Sequence, residues 1–258
     1  MAVKTNFKNT MLFLFTLTKT NILSALSLRI VFITQSFFML FNNIMTLIIW
    51  YFIFQKFQTI HGWNIHDMAC MFGIMTSVVS VILFFMQGLI YFPATVSKGE
   101  LDTFLLHPKN VIIHLACSKS APHGFGEFIT ALIVLSFSGY VTWMNLPLLI
   151  LSIICGIIVT FSFLLTFGSL SFWFPRIEEI FHNLWIFFVI FGTQPASIYY
   201  GILKILIFSI IPVGLISFVP VKLLRNLLDH IGSLGLPQKQ GHIKKRIILA
   251  LLNSNCQN

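Results

Sequence analysis

The chain has 258 residues, of which 57% are hydrophobic and 9% charged, with a mean hydropathy of +0.91. Soluble domains carry about 25% charged residues, and a water-soluble fold of this size cannot hide so much apolar surface, so that class is excluded. The net charge of +9 does not make a nucleic-acid face, because the basic residues are dispersed along the chain between apolar runs.

Their placement is informative. Lys4, Lys8, Lys19 and Arg29 precede the first long apolar run, Lys98, Lys109 and Lys119 share one loop, and Arg176 lies in another. Lys222, Arg225, Lys239, Lys244, Lys245 and Arg246 follow the last strong apolar run, and Lys56 and Lys204 fall on the other side. This asymmetry follows the positive-inside rule and predicts a multi-pass protein with a cytoplasmic amino terminus. The four cysteines, Cys70, Cys117, Cys155 and Cys256, have no paired or metal-type spacing, and the three in or near apolar runs read as small hydrophobes.

In chain order, residues 10–28 mix Leu, Phe and Ile with Thr, Lys, Asn and Ser, a pattern that predicts an amphipathic helix in the inner interface. No charge occurs between Arg29 and Lys56. About 20 apolar residues cross a hydrocarbon core of ~30 Å, so residues 30–55 form span one, with Trp50 and Tyr51 near its outer boundary. After an outer loop over 56–66, span two occupies 67–92 and leads into an inner loop reaching Pro122. Span three covers 123–141, a turn with Asn145 and Pro147 follows, and span four covers 148–172. Span five, 180–193, should break at Gln194–Pro195, since proline lacks an amide donor and restricts its predecessor. The apolar stretch 197–219, interrupted by Lys204, Pro212 and Pro220, is either a sixth crossing or a re-entrant hairpin. Crossing is favoured, because it keeps the basic tail inside.

Two polar features interrupt the apolar background. Glu127 falls early in span three, and a carboxylate deep in a bilayer must face protein, water or the interface. It either pairs with a cation such as Lys119 or lines a polar pathway. The island 98–108 lies between two spans, with acidic Glu100 and Asp102 beside apolar Leu101, Phe104, Leu105 and Leu106. Gly99 permits a sharp turn and Pro108 ends any helix. The island reads as a solvated connection or as a docking surface.

No phosphate-binding loop, zinc-protease motif or serine-hydrolase elbow occurs in the chain. The scattered histidines, including His61, His66, His107, His114 and His123, read as interfacial side chains rather than a metal site. A membrane-embedded enzyme is therefore a poor reading, since Glu127 stands nearly alone within the spans. A secondary transporter or membrane assembly subunit working without ATP is the other alternative, but such carriers show paired interruptions in two halves, and one interruption is evident here.

Gly99, Leu101 and Asp102, followed by Leu105, Leu106 and Pro108, resemble the Gly-x-Leu-Asp…Leu-x-x-Pro signature in the first inner loop of the bacterial ABC-2-type permeases. Phe172, Trp173 and Arg176 resemble the element after that family's fourth span. Gln194, Pro195, Ile198 and Tyr199, then Pro212 and Pro220, resemble its Pro…Ile-Tyr…Pro…Pro segment. The resemblance implies an all-α, type V exporter-like membrane fold of about six helices spanning a bilayer, preceded by an interfacial helix. It implies a permease of the bacterial inner membrane that binds no cofactor itself and is driven by a separate ATP-binding subunit using ATP and Mg, with a second permease as further partner. Gly99 to Pro108 would hold the coupling helix, Arg176, Glu178 and Glu179 a second contact with the ATPase, and Glu127, Pro195 and Tyr199 the gate or pathway. The permease domain would cover 1–224. Residues 225–258 are too polar for the family's usual last span and would make a divergent tail, the mark of a shortened or degenerate member.

Overall fold

The computed structural model describes residues 7–27, 29–57, 59–60, 62–106, 110–121, 123–174, 177–195, 199 and 201–233. The polar-apolar mixture at the start forms α1 (Phe7–Ser27), and the uncharged run after it forms α2 (Arg29–Lys56). At ~1.5 Å per residue, α2 is about 42 Å long. One side of α2 is left bare, with Ile30, Ile33, Phe37, Phe38 and Phe52 exposed, while Asn43, Trp50 and Phe54 are buried. Such a helix has one protein face and one face suited to lipid.

The opposite holds for α3 (Ile65–Phe85), in which every residue from 70 to 80 is buried. Its start is closed by a reciprocal capping box: Asn64 Oδ1 accepts from the Asp67 amide at 2.9 Å and Asp67 Oδ2 accepts from the Asn64 amide at 3.0 Å. A helix that is apolar all round belongs at the centre of a bundle, and α3 is packed by α7 (Gly124–Ser138), α8 (Leu146–Gly168) and α9 (Glu178–Gly192). Small residues set these approaches, as is usual where helices meet without water. A side chain at Gly73 would lie 2.7 Å from Leu135 of α7, and one at Gly126 would lie 2.7 Å from the Ser36 carbonyl of α2. Along α3 and α7, Gly124 touches Leu83 and Phe84 at one end, while Tyr140 reaches Asp67 at the other. Although only 15 residues long, α7 with its flanking turns therefore runs antiparallel beside nearly all of α3.

Among the described residues three helices are long and apolar enough to cross a membrane: Arg29–Lys56, Ile65–Phe85 and Leu146–Phe172, the last including the 3₁₀ turn Ser169–Phe172. The second ends earlier than the sequence suggests. Instead of continuing to 92, the chain turns at Met86, passes through the 3₁₀ turn Gln87–Leu89 and enters α4 (Phe92–Ser97). Packing explains the stop: Gly88 lies so close to α6 (Val111–Ala116) that it has room for no side chain, and Pro93 favours a new helix start.

The favoured sixth crossing is not what forms. Helix α9 ends with Gly192 against Met75, well inside the length of α3. The chain then breaks into α10 (Ile202–Ser209), α11 (Val213–Ile216) and α12 (Phe218–Ser233). Ile216 meets the Gly156 position of α8 beside Val78, at mid-depth. From there Val221 and Leu224 pack with Met68, Met71, Trp63 and Tyr140, and Arg225 reaches Gly62 and Asp67. Residues 202–225 therefore return to the Asp67 end rather than to the end that holds α4. Among the described residues the reason is visible: Pro212 and Pro220 keep the helices short, and Lys222 and Arg225 are exposed at the far end.

Candidate functional site

Two polar regions lie at opposite ends of the bundle. The first is built on α4, α5 (Leu101–Leu105) and α6. Helix α4 ends in a Schellman motif: the Gly99 amide donates to the Val96 carbonyl at 3.0 Å and the Glu100 amide to the Thr95 carbonyl at 3.0 Å. Gly99 adopts φ of +72° to make this turn, a conformation that costs other residues about 1 kcal/mol. The turn throws α5 outward. Glu100, Asp102, Leu105 and Leu106 are exposed and Leu101 half-buried; Leu106 is 83% accessible and Leu105 59%. The carboxylates of Glu100 and Asp102 meet no cation among the described residues. An acidic and leucine-rich knuckle thus projects from the bundle with little of its own surface satisfied.

The knuckle rests on a firm base. Phe104 packs on His114 of α6 at 4.9 Å, and Phe13 of α1 packs on the same imidazole at 5.1 Å. Asn21 of α1 donates to the Cys117 carbonyl at 2.9 Å. Leu17, Thr103, Phe104, His114 and Ser118 line a shallow recess of about 260 Å³ between α1, α5 and α6. Below them, the Ala121 amide donates to the Leu83 carbonyl in the last turn of α3 at 2.9 Å. Helix α4 is seated on the end of α8, where Gly168 lets the Phe92 ring approach and Phe92 meets Phe172 edge-on at 6.0 Å. It also touches α9, whose first turn carries exposed Glu178 and Glu179. Acidic residues there complement the helix dipole, and the exposed Trp173 and Phe174 precede them. The two loops read as contacts therefore share one end of the bundle. Pro108 and Arg176 lie outside the described residues.

Glu127 is buried, but its partner is not Lys119. Asn43 of α2 donates to Glu127 Oε2 at 3.0 Å and lies 3.4 Å from Thr130 Oγ1. Lys119 instead lies over the Tyr91 ring at 4.6 Å. Glu127 thus faces protein, across the α2–α7 seam. Pro195 is buried just beyond the broken end of α9, and Tyr199 packs edge-on against Phe191 at 5.3 Å.

The second polar region was not singled out by the sequence. Asp67 is fully buried; it accepts from the Tyr140 hydroxyl and pairs with Arg225 Nη1 at 3.4 Å, while the same nitrogen donates to the Gly62 carbonyl at 2.7 Å. The Tyr140 carbonyl accepts from Asn145 Nδ2 at 3.2 Å, tying the α7–α8 turn into the cluster. A signal existed in Asn64-x-x-Asp67, a capping-box pattern, but nothing in the spacing pairs Asp67 with residues 73 and 158 positions onward. Among the described residues no group of His, Cys, Asp and Glu could hold a metal ion.

Residues 40–240 match the ABC-2 family transporter protein family, which covers most of the chain. The chain belongs to that family. Neither a curated protein nor a solved structure matches it. It is accordingly a multi-pass membrane protein and the permease part of an ABC transporter, a transport subunit rather than the nucleotide hydrolase.

Proposed function

We propose that this permease is an exporter subunit of a bacterial inner membrane, driven by a separate ATP-binding subunit that docks on α5. The observation that carries the reading is the exposed knuckle: Glu100 and Asp102, which meet no cation among the described residues, beside Leu105 and Leu106, held by a base that reaches α1, α3 and α8. Charge beside apolar surface suits a protein partner, and a rigid base would pass movement of that partner into the bundle. The α5 end is then cytoplasmic together with the amino terminus, in keeping with Lys98 and Lys119 there. ATP and Mg belong to the partner. Glu178 and Glu179 extend the docking surface from the neighbouring loop.

The pathway would form between two permeases, identical or related. The centre of a single copy is filled by Met75, Val78, Ile82, Phe163 and Phe188, so a single copy offers substrate little room. ATP binding closes the ATPases, the knuckles follow, and the permease pair alternates between inward-open and outward-open states. A switch of this kind needs contacts that differ between its two states, and the docked knuckle supplies them. Glu127 would reach a pathway if α2 and α7 part, while Pro195 and Tyr199 would flank it at the break after α9.

The test is charge reversal at the knuckle. Glu100→Lys together with Asp102→Lys should abolish co-purification of the ATP-binding subunit while the chain remains inserted and folded. Undiminished association would overturn the docking assignment.

A further inference from the structure

We infer that Asp67, Tyr140 and Arg225 form a latch at the outer mouth, holding α12 against α3 and the α7–α8 turn until its release lets the broken run α10–α12 swing as a gate. Asp67 is fully buried, yet the cation that answers it comes from another element 158 positions away and is 45% exposed. Arg225 is the only cation paired with a carboxylate among the described residues. One guanidinium nitrogen serves both the Gly62 carbonyl and the Asp67 carboxylate, and so clamps α12 across the loop before α3 and its first turn.

The clamped element is suited to moving. The run consists of α10 with 8 residues, α11 with 4 and α12 with 16. Helices as short as α10 and α11 hold little structure by themselves and depend on their packing. Gly201, at φ of +60°, opens the run, and Pro212 and Pro220 interrupt it. By contrast, the groups on the other side of the latch are fixed. Asp67 is locked into the Asn64 capping box, and Tyr140 is held through Asn145. A release would therefore move α12 and leave each carboxylate oxygen of Asp67 with one donor, the Tyr140 hydroxyl on Oδ1 and the Asn64 amide on Oδ2. That is the arrangement of a reversible contact rather than of a permanent brace.

Cys70 provides a native reporter. It is completely buried one turn below Asp67, in the same apolar cluster as Val221 and Leu224 of α12. The experiment uses the full chain with Cys117, Cys155 and Cys256 replaced by alanine, in cells or right-side-out vesicles, and a membrane-impermeant maleimide applied from outside. The wild-type latch should protect Cys70. Arg225→Gln should raise the labelling rate about tenfold, which corresponds to about 1.4 kcal/mol, and Arg225→Lys should largely restore protection. Because Arg225 is partly exposed, 1 M salt, at which the screening length is about 3 Å, should also speed labelling of the unmutated latch, with no dependence on how any variant folds. Labelling that ignores salt, or a glutamine variant as protected as the wild type, would overturn the latch. A lysine variant labelled as fast as the glutamine one would show that packing, not charge, closes the mouth.

The role as a gate rests on the transport reading, whereas the salt dependence does not. Faster Cys70 labelling during ATP turnover with the partner subunit present would establish the gate. A salt-sensitive latch indifferent to turnover would leave the contact standing and overturn its part in transport.

Discussion

Leu106 offers the sharpest test of how the permease meets its ATPase. The residue is 83% accessible and Leu105 is 59% accessible, so within this chain Leu106 has little apolar contact to lose and Leu105 only part of its own. Truncation to alanine deletes about three carbons, each worth about 0.8 kcal/mol when buried. If docking covers the accessible share, Leu106→Ala should weaken the ATPase by about 2 kcal/mol, or roughly thirtyfold, and Leu105→Ala by about 1.4 kcal/mol, or roughly tenfold. The chain's own stability should not change. Leu164→Ala is the control with the opposite signature, since Leu164 is wholly buried and its loss should cost about 2–5 kcal/mol of folding stability. The assay pairs the affinity of the detergent-purified permease for its ATPase with thermal unfolding of the permease alone. Equal affinities for wild type and Leu106→Ala would refute the reasoning, as would a fall in thermal stability comparable to that of Leu164→Ala.

Three further substitutions probe the machinery behind that surface. A methyl group at Gly88 would lie 1.8 Å from the Leu115 carbonyl, with the Ala116 carbonyl at 2.9 Å. Gly88→Ala should therefore displace α6, lower stability by about 1–3 kcal/mol and weaken ATPase association with it; a variant that melts and associates like wild type contradicts the seating described for α6. Asn43→Ala removes the donor to a buried carboxyl group and should cost about 1–3 kcal/mol, read as a lower unfolding temperature in detergent. Glu127→Gln keeps an oxygen to accept from Asn43 and should be nearly neutral for stability. If it is neutral for folding but abolishes transport, Glu127 acts through its charge in the pathway as well as in the seam.

Much of the architecture could be read from composition because a bilayer demands long uncharged runs. The bounds of α2 and α8, and the tight turn at Asn145, follow from where charge and proline fall. The outward throw of α5 follows from Gly99, whose positive φ the turn requires. Periodicity could not show where apolar helices stop, since a uniformly apolar run has no polar face to mark its end. Span two was read to 92, but contact between Gly88 and α6 turns the chain at Met86, a long-range effect with no local signature. The run 197–219 reads as a crossing or a re-entrant hairpin, with crossing favoured, for a related reason. Its charges satisfied the positive-inside tendency, but the tendency is weak beside a buried carboxylate, and Asp67 draws Arg225 to the other end. For Glu127 the sequence leaves open a cation such as Lys119 or a polar pathway, because charge suggests charge or water. The partner is an amide on α2 that happens to lie at the same depth.

The central claim, that α5 is the seat of an ATP-binding subunit, is tested most directly by a photo-crosslinking residue placed at Leu106 in the full chain and activated in native membranes. The account predicts one dominant protein adduct, an ATP-binding subunit, lost when Glu100 and Asp102 are both changed to lysine. An intact, inserted permease that crosslinks to lipid or to nothing at this position would contradict it.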